Sequence, residues 1–379
     1  MLAHFSHHLL TALVVPLLPF IRDEFVLDYT QSGLVVSAFT LSYGLSQLPS
    51  GWFADRISPR ILIVIGTCGV AVAGLLVGLS QTYTMMVVCL VLMGVAGGGY
   101  HPAAPPLISA LVEPKNRGRV LGIHLIGGPA SYFLAPLIGV AIATAWMWRG
   151  SFIGLSIPVM IFGIIFYALL GRQAATSKPR QVITEHPGDA PSPSGRLRRL
   201  VVFLILVTFT SAVVLSIIAF IPLYMVDHFG ASEQTAAVFL AIVYAGGLWS
   251  APLGGYLSDR LGRVPVMLAA SFAAGPLVYL VNLAPYGVGI GALLVILGGA
   301  MSMRMPVTEA YIVDQVSEHR RSSILGIYYF AAMEGGGILT PVLGFLIDRF
   351  GFYFSFTIAG AALVAVTLAC SMFLRGSRG

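Results

Sequence analysis

Few ionisable residues interrupt the apolar runs of this chain, and those that do are the ones that could do chemistry. Arg304 lies in "MSMRMPVTE" at 301–309, with Glu309 five positions on. Glu334 opens the run "EGGG", and His101 sits in "GGGYHPAAPP" at 97–106. A guanidinium does not lose its charge readily, so Arg304 suits an anionic group on a ligand. It could also pair with Glu309, although i, i+5 is an awkward helical spacing. A carboxyl carried out of water can take up and release protons near neutral pH. That gives Glu309 and Glu334 the chemistry of proton carriers. An imidazole titrates in the same range, so His101 could hold a proton or a ligand. His4, His7 and His8 are spaced i, i+3, i+4 on one helix face that continues to Thr11. Three histidines on one face can bind a metal. No acid or cysteine lies near them, and no metal is expected. Tyr100, His7, Tyr43 and Gln47 complete the candidate ligand contacts; Ser42 lies on the same polar edge as Tyr43 and Gln47. Tyr244 and Trp249 read as packing, and His124 as structural.

The elements that must position these residues follow from composition. Of 379 residues, 57% are hydrophobic and 9% charged, against roughly 25% charged in soluble domains. So much apolar surface needs lipid as its solvent. The runs are long and lack strand alternation, which predicts helices. In lipid the backbone must satisfy its own hydrogen bonds. Spans of ~20 residues are expected at 2–22, 30–54, 61–80, 84–111, 118–142, 150–171, 199–225, 233–257, 264–282, 287–312, 322–346 and 352–374. The fold class is therefore an all-α membrane protein of twelve transmembrane helices. One long connection, "GRQAATSKPRQVITEHPGDAPSPSGRLRR", has four prolines and six basic residues. It reads as a flexible linker. The expected units are a six-helix bundle over 1–171, a cytoplasmic linker over 172–198 and a second six-helix bundle over 199–379. Cys68, Cys89 and Cys370 fall in spans and read as small buried hydrophobes. No cleavable signal peptide is evident.

The net charge of +6 is a topology signal. With the N-terminus in the cytoplasm, 17 lysines and arginines fall in cytoplasmic loops and tail and 3 on the opposite side, with Arg304 inside a span. That is the positive-inside pattern, so nucleic acid is not an expected partner and both termini are expected in the cytoplasm. No Walker A sequence exists, the only lysines being Lys115 and Lys178. No nucleophile constellation stands out. No catalytic residue, enzyme activity or cofactor is expected.

The two halves repeat each other. "GWFADR" begins at Gly51 and "GYLSDR" at Gly255, an offset of 204. The same offset maps Asp23 to Asp227, Gly94 to Gly298, Pro102 to Pro306, Arg117 to Arg321 and Gly122 to Gly326. One register held from the first helix to the fifth predicts an internal duplication of two parallel six-helix units.

Two such halves, a basic central loop and a repeated G-x-x-x-D-R resemble the major facilitator superfamily over essentially the whole chain. Its signature is roughly G-x-x-x-D-R-x-G-R-R/K. The second copy keeps Gly255, Asp259, Arg260, Gly262 and Arg263; the first keeps Gly51, Asp55, Arg56 and Arg60 and departs at Ser58 and Pro59. A gating role is expected for this motif. Its glycine would let helices approach, and its aspartate, at the start of the next helix, would be favoured by the dipole and pair with a basic residue of the opposite half. Within the superfamily, "HFSHHLLTALVVPLLP", "MGVAGGGYHPAAPPLISA" and "LGIHLIGGPASYFLAPLIG" resemble fosmidomycin-resistance-type drug:proton antiporters. Ser131, Ala135, Pro136 and Gly139 keep a degenerate form of the antiporter pattern.

The resemblance implies the major facilitator fold, with helices 1, 4, 7 and 10 lining a central cavity. A helix broken around His101 fits a cavity wall, where freed carbonyls meet protein or water. The implied activity is proton-coupled export, by alternating access, of a small anionic or amphiphilic compound. The alternative is uptake or facilitated passage of a small organic anion, a carboxylate or phosphate ester. Tyr100, His101, Arg304, His7, Tyr43 and Gln47 would contact substrate, and Glu309, Glu334 and His101 would carry protons. The partners would be the small molecule, protons and the bilayer. A monomer in a bacterial cytoplasmic membrane is expected.

Overall fold

A lipid-facing chain must close its backbone hydrogen bonds within each segment, and helices do so throughout. The structure, a computed structural model, describes residues 1–54, 56, 58–113, 116–176, 194–316 and 321–374; among these every regular element is helical. Eight helical stretches are long and apolar enough to cross a membrane. Two of them, Arg119–Gly171 and Gly326–Leu374, are double spans folded at a corner. With the first two helices, the described residues are consistent with the twelve crossing segments expected from the sequence.

The first crossing, α1, covers 2–25 in two pieces, Leu2–Thr11 and Leu18–Phe25. Between them the chain turns through residues 12–17, which include Pro16, a residue without a donor. α2 is Tyr29–Ala54 and α3 is Pro59–Leu79. Inside α3, Ile65–Gly69 forms a π-helical turn. α4 covers 83–111 as Tyr83–Gly97 and Tyr100–Leu111, interrupted at Gly98–Gly99. α5 covers 117–145 and α6 covers 148–176, separated by Trp146 and by Met147 at φ 61. The second half comprises α7 (Ser194–Phe229), α8 (Glu233–Leu261), α9 (Arg263–Val281) and α10 (Val288–Gln315). α11 (321–350) and α12 (352–374) are divided at Gly351, whose φ of 76 suits glycine. The helices run into the expected linker from both sides, to Thr176 and from Ser194; residues 177–193 lie outside the described residues.

The glycines of α4 explain its packing. A Cβ at Gly94 would stand 2.0 Å from Ser42 Oγ, and one at Gly98 would stand 1.9 Å from Ser46 Oγ. α4 therefore lies backbone-close on α2. The break expected around His101 comes three residues earlier than the histidine, and two adjacent glycines make it.

The halves meet along two seams. On one, α2 packs on α11: Gly33 meets the backbone of Pro341, Gly344 meets that of Tyr29, and Ser37 Oγ donates to Gly337 O at 2.5 Å. On the other, α5 meets α8 through the Tyr132 and Tyr244 rings, 5.2 Å between centroids. A polar latch closes one end. Asp227 accepts from Arg22 and from Tyr29 Oη, the latter at 2.7 Å. Asp348 accepts from the Tyr29 and Thr30 amides at 2.9 and 2.8 Å and from Thr30 Oγ1 at 2.5 Å. The two G-x-x-x-D-R copies lie at the other end of the bundle.

Candidate functional site

Two clusters of buried polar side chains stand out, one in each half.

The first is built on α1. Its i, i+3, i+4 histidines point inward, with His4, His7 and His8 all buried. Each has a hydrogen bond that fixes its ring. His4 Nδ1 donates to His124 O at 3.1 Å, and His7 Nδ1 donates to Gly66 O at 3.0 Å. Gly66 lies in the π-helical turn of α3, where a carbonyl is released from the regular ladder. Tyr43 Oη donates to His7 Nε2 at 3.2 Å, because a neutral imidazole with Nδ1–H has a lone pair on Nε2. Tyr100 stacks on His7 (4.5 Å between centroids, 13° between planes) and on His4 (5.8 Å, 12°). His101 reaches from α4 to place its Nε2 3.0 Å from His8 Nε2. His124 stacks on His4 at 4.7 Å, and Tyr132 lies 5.3 Å from the His8 ring.

The structure thus joins His7, Tyr43, Tyr100 and His101, four of the expected contacts, in one cluster. His7, Tyr43 and Tyr100 are fully inside it, whereas His101 is half-buried. Gln47, one turn past Tyr43, is half-buried, and none of the cluster's hydrogen bonds reaches it. His4, His8 and His124 belong to the cluster too. The face on α1 was visible in the sequence; its partners on α4 and α5 were not.

The second cluster centres on Arg304 of α10, 3% exposed. Among the described residues its one hydrogen bond is a long one, 3.5 Å from Nη2 to Ser211 Oγ of α7, and Nε and Nη1 are buried without a partner. Arg304 makes no ion pair with Glu309. Instead Tyr328 of α11 lies within electrostatic reach of both. Glu309 itself is half-buried. A buried guanidinium with two donor groups unsatisfied is costly and is suited to an anion's oxygens.

Glu334 lies apart from both, on the seam. It is 9% exposed, and its Oε1 has no hydrogen-bond partner. It points across to α2, where a Cβ on Gly44 would stand 2.1 Å from Oε1. Gly335 approaches Ala212 of α7, and Gly337 approaches Leu41 and Thr40 of α2. The glycine run therefore lets α11 touch both halves around a buried carboxyl.

The G-x-x-x-D-R motifs differ from expectation in two respects. Asp259 lies in the last turn of α8, not at the start of α9, so the helix dipole disfavours it there. Arg263, the first residue of α9, offsets this by pairing with Asp259 and with Asp314 of α10 at 3.3 Å, all within one half. A Cβ on Gly255 would meet nothing within 4 Å, so this glycine makes no close helix contact here. Arg260 lies over the Tyr256 ring at 4.5 Å. In the first copy Arg60 lies over the Tyr167 ring at 5.4 Å and Arg56 is exposed. Gly51 sits in the last turn of α2, and Asp55 lies outside the described residues.

Comparisons with known proteins agree over the full length. The sequence profile described as Major Facilitator Superfamily matches residues 1–247 and 203–378. The chain is 24% identical to a hexuronate transporter of Bacillus subtilis, over 94% of this chain and 89% of that one. It is 28% identical to a probable sulfoacetate transporter of Cupriavidus necator (94% and 87%) and 22% identical to the fosmidomycin resistance protein of Escherichia coli (92% and 85%). The fold superposes with a TM-score of 0.79 on a bacterial homologue of the human lysosomal transporter Spinster, at 17% identity, covering 98% of this chain and 94% of the other.

Proposed function

Since this chain belongs to the Major Facilitator Superfamily, and is therefore a multi-pass membrane transporter and not an enzyme, we propose that it exports a small organic anion by proton-coupled alternating access. The observation that carries the reading is Arg304, a buried cation with two unpartnered donor groups and, among the described residues, no carboxylate bound to it. In a low-dielectric interior such a charge needs a counter-ion, and a transported carboxylate, sulfonate or phosphate ester supplies one. Relatives named for hexuronate and sulfoacetate, both organic anions, support this substrate class. The relative named for fosmidomycin resistance supports export.

Protons are carried by Glu334, on the seam that must part when the halves rock. Its surroundings then change from protein to water, which is the condition for taking up a proton on one side and releasing it on the other. Glu309 and His101 are the secondary candidates. The termini and the G-x-x-x-D-R end lie in the cytoplasm, following the lysine and arginine distribution, so the latch of Asp227 and Asp348 closes the outer end. The motif aspartates serve the opposite state, in which the inner end closes. One chain holds both halves, so the working unit is a monomer.

Everted vesicles with an acid interior test this. A labelled organic anion is expected to accumulate in a gradient-dependent way and to stop doing so in Arg304→Ala and Glu334→Gln. The second reading, inward passage of the same anion class, rests equally on Arg304 and on the hexuronate and sulfoacetate relatives. It would show as gradient-driven accumulation in right-side-out vesicles. Binding of every anion unchanged in Arg304→Ala would overturn both.

A further inference from the structure

We propose that His4, His8 and His101 form a binding site for one divalent first-row transition-metal ion inside the N-terminal half. One ring nitrogen from each lies within 4.8 Å of the other two. Hydrogen bonding selects which nitrogens keep a lone pair for a ligand. A carbonyl only accepts, so His4 carries its proton on Nδ1 and presents a lone pair at Nε2. That Nε2 is buried and has no partner. Thr11 Oγ1 donates to His8 O, leaving its lone pairs to accept from His8 Nδ1 at 3.3 Å. His8 therefore presents a lone pair at Nε2 as well. His101 Nε2 faces it at 3.0 Å. The three rings converge, their centroids 4.8–5.2 Å apart, and those of His4 and His8 are already held by their δ-nitrogens on a carbonyl and a hydroxyl. That outer arrangement is the one that orients imidazoles on a metal.

His101 supplies the change that binding requires. Without a metal its Nε2–H donates to His8; with one, that proton moves to Nδ1 and the freed lone pair joins the other two. Two nitrogens at about 2.0–2.1 Å from a tetrahedral ion stand ~3.4 Å apart. The His8–His101 pair is near that value, and the widest pair needs only ~1.4 Å of side-chain movement. His7 is excluded, because Gly66 O and Tyr43 Oη occupy both of its nitrogens. Three neutral imidazoles favour zinc, cobalt, nickel or copper over magnesium or calcium. They leave a fourth position open to water or an anion. A half-open pocket of about 870 Å³ reaches the neighbours of His4, being lined by Ala3, Tyr100 and His124. Sequence argued against a metal because α1 alone shows three histidines and no further ligand; the missing ligand comes from α4, 93 residues away from His8.

The test uses the full chain in detergent, purified without a polyhistidine tag and stripped with a chelator. Titration with Co²⁺ should give visible d–d bands saturating at one ion per chain, and X-ray absorption of the Zn²⁺ form should show three nitrogen ligands at about 2.0 Å. His8→Ala and His101→Ala should each weaken binding at least ~10-fold, the loss expected when even a supporting group of a metal site is removed. His228→Ala, at the far end of α7, should not. Absence of the bands in the wild-type chain, a zinc shell without imidazole nitrogens, or affinity unchanged in His8→Ala and His101→Ala would each overturn the assignment. The first two outcomes are read on the unmutated protein, so a folding defect in a variant does not protect the proposal.

Discussion

Glu334 of α11 reaches across the boundary between the halves and lies against the backbone of Gly44 in α2, where a methyl group would stand 2.1 Å from its Oε1. Gly44→Ala must therefore displace the carboxyl. The substitution is expected to lower the thermal midpoint, and Glu334→Ala in the same chain to restore much of the loss. A thermal double-mutant cycle should return a coupling of about 0.5–3 kcal/mol, the range for residues in contact. Strictly additive effects would show that the two do not press on each other.

Arg304 should behave in opposite ways in stability and in function. Among the described residues its Nε and Nη1 have no hydrogen-bond partner, and replacing even paired buried charges by apolar residues of like size often gains about 1–4 kcal/mol. Arg304→Met is expected to raise the melting temperature of the ligand-free protein while abolishing anion-dependent stabilisation. Thermal shift with and without a panel of carboxylates, sulfonates and phosphate esters reads both. A variant that melts lower and still responds to anions would remove Arg304 from the site.

The latch is predicted to set the balance between states. Asp348→Asn removes the charge that accepts three hydrogen bonds from the start of α2. Hydrogen bonds to charged groups contribute about 1.5–3 kcal/mol each, and less where water competes. Spin labels at Val26 and Gln234, both exposed at this end, should report a longer-distance population that grows in Asp348→Asn. An unchanged distance distribution would mean that packing along the seams, not the latch, holds the ends together.

Two glycines of the second half should separate folding from gating. A Cβ on Gly298 would fall 1.8 Å from Val243 O, so Gly298→Ala is expected to destabilise by at least ~1–3 kcal/mol through overpacking. Gly255 has open space around it, so Gly255→Leu should leave the melting temperature unchanged and yet stop transport by blocking closure of that end. Vesicle uptake beside a melting curve distinguishes them, and normal uptake by Gly255→Leu would refute a gating role for this glycine.

The helices were legible because lipid makes length and hydropathy nearly sufficient. The offset of 204 was legible because it survives in packing residues such as Gly94 and Gly298, which meet Phe39 O and Val243 O at the same offset. Positions of buried charges were legible as well, since Arg304 and Glu334 stand alone in apolar runs. What they touch was not. The awkward spacing of Arg304 and Glu309 left their pairing open, and the structure settles it by turning Arg304 toward Ser211. The glycines before His101 looked like a device for breaking a helix, and their larger effect is to let α4 lie on Ser42 and Ser46. Asp259 was placed one helix too far along because a turn between two apolar runs does not reveal which run keeps the extra residues. Tertiary packing decides each of these, and no local spacing encodes it.

The latch also has a direction. Each donor in it, from Arg22, Tyr29 and Thr30, belongs to the first half, and both acceptors, Asp227 and Asp348, belong to the second. At the offset of 204, Arg22 corresponds to Val226 and Asp348 to Thr144. One half is thus a plug and the other its socket. The first half keeps a carboxylate, Asp23, at the position matched to Asp227, but there it pairs with Arg22 of its own half. At this end the two halves are therefore not interchangeable, although an offset of 204 still relates their sequences.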